Sequence, residues 1–438
     1  MEEDSLSQHE NMNRRTFLKR LSGVTAGAML APTIVPSTIF SQNSVPPSER
    51  LVMAAIGTGG QGTNNIRAFL RKDEAQIVAV CDVDERHQNN AKQVVDAYYG
   101  NSDCETFTDF RELTRRDDID VVSIGTPDHW HTLPAIDAAR NGKDSYVEKP
   151  LTLTIEEGIQ LRHEVEKYGS ILQTGSQQRS DRDFRFACEL VRNGYIGEVQ
   201  EVKVTIPGNN RTTGPTWEPM AVPEPLDYNF WLGPAKWEPY HEQRCHYQFR
   251  FILDYSGGQV TNWGAHYLDI AQWGLGMDDS GPVEIWGEGK FPDTGIFTTA
   301  TEVDFTCRYD NDVILTCKTG GSGTEFIGSE GRIFVNRGTL RTDPESLMDQ
   351  VIKPNEIHLY KSNDHHQDFL NSVKSRTQPI ANIEVGHRSA TICHLGNIAM
   401  LTKRHIEWDP VAETFPNDSD AENMKHRPMR SPWGFEQI

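Results

Sequence analysis

At 438 residues the chain exceeds what one ordinary core holds, so two domains are expected. Its apolar and charged fractions are those of a soluble globular protein, and a net charge of −20 argues against binding to a phosphate backbone. The first 50 residues carry five basic and five acidic side chains, so the whole negative excess belongs to the remainder.

Within that first stretch Arg14-Arg15-Thr16-Phe17-Leu18-Lys19 precedes a mildly apolar run, Leu21 to Leu30, and then Pro/Ser-rich sequence. Paired arginines before a weak apolar region form the twin-arginine export pattern. Residues 1–49 therefore read as signal and linker, and the expected location is the periplasm or another exported compartment. The acidic leader leaves Met12 as an alternative start. The run is too short and too interrupted to span a membrane. Seven cysteines are scattered with no Cys-x-x-Cys, which fits neither a disulfide framework nor a zinc site. Cys307 and Cys317 flank an expected hairpin that could bring them near each other.

No internal repeat is apparent. From residue 50 to 174 apolar runs of strand length alternate with amphipathic stretches. Strands are expected at Leu51–Ile56, Gln76–Cys81, Val121–Gly125, Ser145–Glu148 and Ile171–Thr174. Helices are expected at Thr63–Arg71, Glu85–Tyr98, Leu133–Asn141 and Ile155–Tyr168, the last opened by a Thr154/Glu157 capping box. Continuous apolar strands alternating with helices predict a doubly wound parallel sheet. Residues 175–400 change character. A helix at Phe184–Asn193 leads to a strand at Val199–Ile206, and a second helix is expected at Ala265–Trp273. Strands at Val283–Glu288, Ala300–Tyr309, Val313–Lys318 and Arg332–Asn336, with a hairpin signal at Asp310-Asn311-Asp312, predict a mostly antiparallel open sheet in a second α/β domain. The Pro/Trp/Tyr-rich segment 207–247 is too aromatic for a linker and reads as a wall of the substrate cleft. Residues 401–438 read as a C-terminal tail.

Ile56-Gly57-Thr58-Gly59-Gly60-Gln61-Gly62 lies between a strand and a helix, the context a dinucleotide-binding turn requires. Gly57 permits the tight turn, Gly59 lets backbone approach a pyrophosphate, and Gly62 lets the helix pack closely. Asp82, twenty residues beyond Gly62 at the next strand end, is placed to accept hydrogen bonds from ribose hydroxyls and to repel a 2′-phosphate, so NAD is expected over NADP. Gly125-Thr126-Pro127-Asp128-His129-Trp130-His131 follows the next strand; Pro127 and Trp130 are expected to shape the cofactor pocket. No carboxylate or histidine cluster completes a metal site there, so none is expected. Glu148-Lys149-Pro150 ends a buried strand, where a partly desolvated lysine acquires a lowered pKa and exchanges protons near neutrality. Asn262-Trp263-Gly264-Ala265-His266 opens a helix, and His266 is a candidate to hydrogen-bond a hydroxyl or take its proton. His394 and His405 read as structural, and Asp364-His365-His366 as a helix start.

With these motifs the chain resembles the Gfo/Idh/MocA oxidoreductases, the relatives of glucose–fructose oxidoreductase and inositol dehydrogenase. The markers are the glycine turn, Thr126-Pro127 with His131, Glu148-Lys149-Pro150 and the helix bearing His266. Val385 to Ala390 and Trp408-Asp409-Pro410 resemble an exported bacterial branch. The resemblance implies a Rossmann domain followed by an α/β domain whose sheet covers the cleft and often mediates homo-oligomer contacts. It implies that Lys149 hydrogen-bonds the reacting hydroxyl and cofactor, that His266 is the acid/base, and that Gly60, Gln61, Thr126, His131 and Glu148 help hold the cofactor. Asn262 departs from the aspartate many relatives carry four residues before that histidine; asparagine cannot take a hydroxyl proton at neutral pH.

The expected activity is NAD-dependent oxidation of a secondary hydroxyl of a sugar or polyol, with Arg179, Tyr247, Arg250, Asn262 and His266 toward substrate. An exported enzyme would carry its cofactor tightly bound. Two alternatives follow: a redox-neutral glycosidase or lyase that oxidises the sugar only transiently, as in some relatives, and a non-catalytic sugar-binding protein.

Overall fold

The computed structural model describes residues 45–209, 211 and 217–438; the expected export segment with Arg14 and Arg15 lies outside the described residues. Residues 51–438 form one compact unit.

The first sheet is six parallel strands: β1 (Leu51–Ile56), β2 (Ala75–Cys81), β3 (Glu105–Phe107), β4 (Val121–Ile124), β5 (Asp144–Val147) and β6 (Leu172–Thr174), in the order β3-β2-β1-β4-β5-β6. The order reverses between β1 and β4, and the carboxyl ends of those two strands open the crevice in which such sheets take ligands. β4 and β5 are buried at every position, the mark of a sheet covered on both faces. One face is covered by the helices Thr132–Arg140 and Ile155–Tyr168, the other by Gly60–Leu70 and Glu85–Tyr99. A helix from far along the chain, His365–Ser375, adds Phe369, Leu370 and Val373 to the second of these cores. By packing, that helix therefore belongs to the first sheet.

The second sheet has eight strands: β7 (Val199–Ile206), β8 (Glu284–Gly287), β9 (Asp304–Arg308), β10 (Ile314–Thr319), β11 (Gly323–Gly328), β12 (Arg332–Asn336), β13 (Thr339–Asp343) and β14 (Ile406–Glu407). Their order is β13-β12-β11-β7-β10-β9-β8-β14, antiparallel except for the β7/β10 pair. Its inner face packs on the helices Arg182–Arg192, Ala265–Leu275 and Ile383–Thr402. Cys307 pairs across the β9/β10 ladder with Leu315, and Cys317 pairs with Phe305. The two cysteines share a face with the Thr306/Thr316 pair between them, and all seven in the chain are free and buried.

The stretch after residue 400 is held rather than trailing. β14 closes one edge of the second sheet. Further on, Trp433 packs edge-on to Trp130 and stacks with Phe230, and Arg140 donates to the Phe435 carbonyl. Among the described residues no helix is long and apolar enough to cross a membrane.

Candidate active site

A cleft of about 580 Å³ runs from the β1 glycine turn to the start of the helix Ala265–Leu275. Its floor is the turn itself. Gly57 adopts φ +77°, and a side chain there would strike the Thr126 backbone. A Cβ on Gly62 would overlap the Gly57 carbonyl oxygen, so both glycines are forced by close approach. A Cβ on Gly60 meets nothing within 4 Å, and one on Gly59 meets only the His87 ring at 3.8 Å. This open space lies over the amino end of the helix Gly60–Leu70, whose N-cap, Gly59, supplies no side-chain acceptor. Unspent amides at the positive end of a helix, with room above them, suit a pyrophosphate.

Asp82 stands at the end of β2 and lines this region. One of its oxygens accepts from the Thr58 amide (2.7 Å) and hydroxyl (3.2 Å), the other from the Asp84 amide (2.9 Å). A carboxylate has about four acceptor sites, so capacity remains. His87 lies beside it, with Nδ1 3.8 Å from an Asp82 oxygen, and the carboxylate raises the imidazole pKa. Asp84, His87 and His246 have ligand atoms within 4.8 Å of one another and are the one group of metal-ligand composition among the described residues. The Arg86 guanidinium already grips both Asp84 oxygens, at 2.9 and 2.6 Å.

On the other side of the switch point, Thr126 and Pro127 line the cleft, and the buried Thr126 hydroxyl has no partner. His131 lines it too, with its ring nitrogens at 2.7 Å from the Pro150 oxygen and 2.9 Å from the Thr126 oxygen. The imidazole thereby staples the β4 loop to the β5 loop. Trp130 donates to the Trp231 carbonyl at 2.9 Å, tying the same loop to segment 207–247. Asp128 accepts from Ser256 at 2.6 Å, and His129 sits on the Trp231 oxygen with burial holding it down to about 4. Both are therefore committed to the scaffold. Glu148 accepts from Gln61 (3.1 Å) and Asn65 (3.0 Å), which fixes the glycine-turn helix against the end of β5.

Lys149 follows Glu148 at the mouth of the crevice. Its ammonium donates to the Asn262 backbone oxygen (2.9 Å) and side-chain oxygen (3.0 Å), both neutral acceptors. Burial pushes its pKa down to about 8, and the nearby Arg250 pushes the same way against Glu148. Asn262 is in a π-helical turn, Val260–Gly264, that widens the start of the helix Ala265–Leu275; such turns cluster at functional sites. Two residues beyond that turn is His266. It is buried, its Nδ1 has no partner, and burial together with the Lys149 charge holds it neutral.

Of the residues expected at the site, the structure brings to this cleft Gly57, Gly59, Gly60, Gln61, Asp82, Thr126, Pro127, Trp130, His131, Glu148, Lys149, Tyr247, Arg250, Asn262 and His266. Gly62 lies just beneath the turn. Arg179 is a correction. It is 1% exposed, paired with both oxygens of Asp269 at 2.9 Å and with Asp278 at 2.6 and 3.0 Å, and it does not line the cleft. A guanidinium enclosed between two aspartates away from the cleft is not offered to a substrate there. Segment 207–247 contributes Phe230, Trp231, His246 and Tyr247 to the wall. Sequence reasoning missed Arg337, in the two-residue turn between β12 and β13, and gave no site role to Trp263, over whose ring the Arg337 guanidinium lies at 5.2 Å. A short Arg-Gly hairpin turn looks like any surface turn, and only the tertiary fold lays it over the cleft.

Fold and site together define a dinucleotide-binding fold with a lysine of lowered pKa beside an open cleft. Residues 51–176 match the oxidoreductase family's NAD-binding Rossmann fold, and residues 192–435 match its C-terminal alpha/beta domain. The chain belongs to the Gfo/Idh/MocA oxidoreductase family. It is 31% identical over 211 residues to glycosyl hydrolase family 109 protein 1 of Shewanella sp. (strain MR-4), covering 43% of this chain and 44% of that protein. It is 30% identical over 208 residues to the alpha-N-acetylgalactosaminidase of Shewanella oneidensis, with the same coverage. The chain thus spans less than half the length of these relatives. Among solved structures, the WlbA dehydrogenase of Bordetella pertussis in complex with NADH and UDP-GlcNAcA superposes with a TM-score of 0.62 at 16% identity, covering 82% of this chain and 99% of that one. The aldose-aldose oxidoreductase of Caulobacter crescentus complexed with glycerol gives 0.60 at 17% identity, covering 82% and 99%. At these identities the likeness shows the fold.

Proposed function

We propose that this protein holds NAD tightly and oxidises a secondary hydroxyl of a sugar or polyol. The observation that carries the reading is a single cleft with the open glycine turn at one end and Lys149, Asn262 and His266 at the other. The open turn, the orphaned Thr126 hydroxyl and the spare acceptor capacity of Asp82 suit the cofactor. NAD supplies the acceptor for the hydrogen leaving carbon. The protein's own part is proton handling. Neutral Lys149 takes the hydroxyl proton at Nζ, and its resulting ammonium stabilises the developing alkoxide. Asn262 orients Nζ without adding charge, so the lysine stays near its working pKa. His266 offers a neutral ring to a neighbouring hydroxyl. The Asp82 carboxylate favours the free ribose of NAD over the phosphate of NADP.

A second reading is favoured by the similarity to proteins named glycosyl hydrolases. There the same oxidation is transient, a neighbouring bond is eliminated, and the overall reaction is redox-neutral. Deuterium at the oxidised carbon separates the two. In net oxidation the label leaves the sugar; in the redox-neutral reaction it returns in the product. Mass spectrometry of denatured protein tests the cofactor claim first. A preparation that neither carries nor takes up NAD sinks both readings.

We further propose that Arg14 and Arg15 direct folded, loaded protein through the twin-arginine route. Changing both to lysine should leave NAD-loaded protein in the cytoplasm, and normal appearance of that variant in the periplasm would refute it.

A further inference from the structure

We infer that the sugar taken by this cleft carries a carboxylate, as a uronate does, and that Arg337 grips it. The inference rests on the reading of the cleft as a sugar site. The chain carries a net charge of −20, yet the reactive end of the cleft collects Lys149, Arg250 and Arg337. The contrast is with the molecule's well-paired interior arginines. Arg179 has two aspartates and Arg162 two glutamates, but among the described residues no carboxylate lies within ion-pair distance of Lys149, Arg250 or Arg337.

The two arginines are nonetheless held in place. Arg250 lies over the rings of Tyr247 (4.8 Å) and Phe249 (4.6 Å) and donates to the Tyr247 oxygen at 3.2 Å. Arg337 lies over Trp263, and its Nε donates to the Gln178 side-chain oxygen at 3.2 Å when that amide is oriented to donate to the His266 carbonyl at 3.0 Å. One edge and one face of the guanidinium are thus fixed, and the two terminal amino groups have no hydrogen-bond partner among the described residues. That is the fork which matches a carboxylate with two parallel hydrogen bonds. None of the acids lining the same cleft lies within ion-pair distance of it: Asp84 is gripped by Arg86, Asp128 is engaged by Ser256 and Glu148 by Gln61 and Asn65, and Asp82 stands at the glycine-turn end. A neutral sugar would leave the fork facing water, whereas a carboxylate would complete it.

The test uses the full, NAD-loaded chain and calorimetry with matched pairs: D-glucuronate against D-glucose, D-galacturonate against D-galactose, and each uronate against its methyl ester. At least one uronate should bind roughly ten- to a hundred-fold more tightly than its neutral counterparts, the range of a charge-assisted hydrogen-bond pair. The gap should shrink as salt rises. Arg337→Gln should abolish the preference without changing NAD content, and Arg337→Lys should keep only part of it. The inference is overturned if no uronate outbinds its parent and ester, if the preference survives Arg337→Gln, or if a 6-sulfated sugar binds more tightly than the uronate. It is also overturned if Arg337→Gln strips NAD, because the fork then serves the cofactor. Failure to load NAD at all would instead sink the parent reading.

Discussion

The glycine-turn end of the cleft and its reactive end are built from the same kinds of polar side chain, but they are finished differently. At the turn the side chains that shape the site are fixed, Asp82 by Thr58 and Asp84, Glu148 by Gln61 and Asn65, and His131 by two carbonyls, and what stays open is the helix amides and the Thr126 hydroxyl. At the reactive end Lys149 rests on a neutral asparagine, His266 has an orphaned nitrogen, and Arg337 is held by one edge. Groups already satisfied hold a fixed shape for a ligand that need only fit. Lys149 and His266, left short of partners, have lowered pKa values, and all three groups keep capacity for a further molecule. The contrast explains how the cofactor end can be rigid while the chemistry stays available.

The largest effect that would break this contrast is at Lys149. Lys149→Met nearly conserves volume and removes the ammonium. Turnover should fall by roughly two to four powers of ten, the range for a lost proton-transfer group, while NAD content and melting temperature hold. Full activity would move the chemistry elsewhere. The second effect concerns Arg179, the cation that is fully paired. Arg179→Met strands Asp269 and Asp278 and should cost about 3–5 kcal/mol of stability in denaturant titration. The folded fraction should keep its KM. A KM change in folded protein without lost stability would return Arg179 to the substrate site.

These two residues also show where sequence reading can place a side chain and where it cannot. Lys149 was legible because a strand end in a doubly wound sheet has one location, and the glycine turn fixed which crevice that was. Arg179 was misassigned because its partner Asp269 is ninety residues away, and pairing at that separation leaves no local pattern. The same limit applies to elements. β7 and β12 matched their expected bounds, whereas β11 was not expected because its run Thr324-Glu325-Phe326-Ile327 is only four residues between glycines, although it pairs with both β7 and β12. The helix Ile383–Thr402 is buried all round from Val385 to Met400, so it carries no polar face to give it away. Arg337 became a site residue only once β12 and β13 were folded over the first sheet.

At the turn, the third effect tests rigidity directly. Gly62→Ala drives a methyl into the Gly57 carbonyl oxygen and should destabilise by roughly 1–3 kcal/mol, with NAD affinity falling in parallel. Open space at Gly60 makes Gly60→Ala the contrasting control in the folded protein: stability near wild type, but weaker NAD binding if the methyl enters the pyrophosphate space. Equal loss of stability in the two variants would show that close packing does not distinguish these glycines.

The smallest effect is the most discriminating, because it changes one charge at the reactive end and leaves the packing alone. Lys149 sits at about 8 because burial opposes its charge and its nearest acceptors on Asn262 are neutral. If its neutral form takes the proton, kcat/KM for oxidation should rise with pH through about 8. His266, held well below its ordinary value, should add no limb near 6.5. The folded pKa lies below the unfolded one, so between about 8 and 10.5 the unfolded chain binds more protons and stability should rise with pH across that window. Asn262→Asp places a carboxylate where the amide oxygen now stands, 3.0 Å from Nζ, and so favours the ammonium. The midpoint should move up by roughly one unit or more, and the rate at pH 7 should fall about tenfold and recover in alkaline buffer. If the variant instead gains activity at pH 7, the new carboxylate is taking the proton. An unmoved profile would mean that Lys149 is not the group whose titration limits the rate.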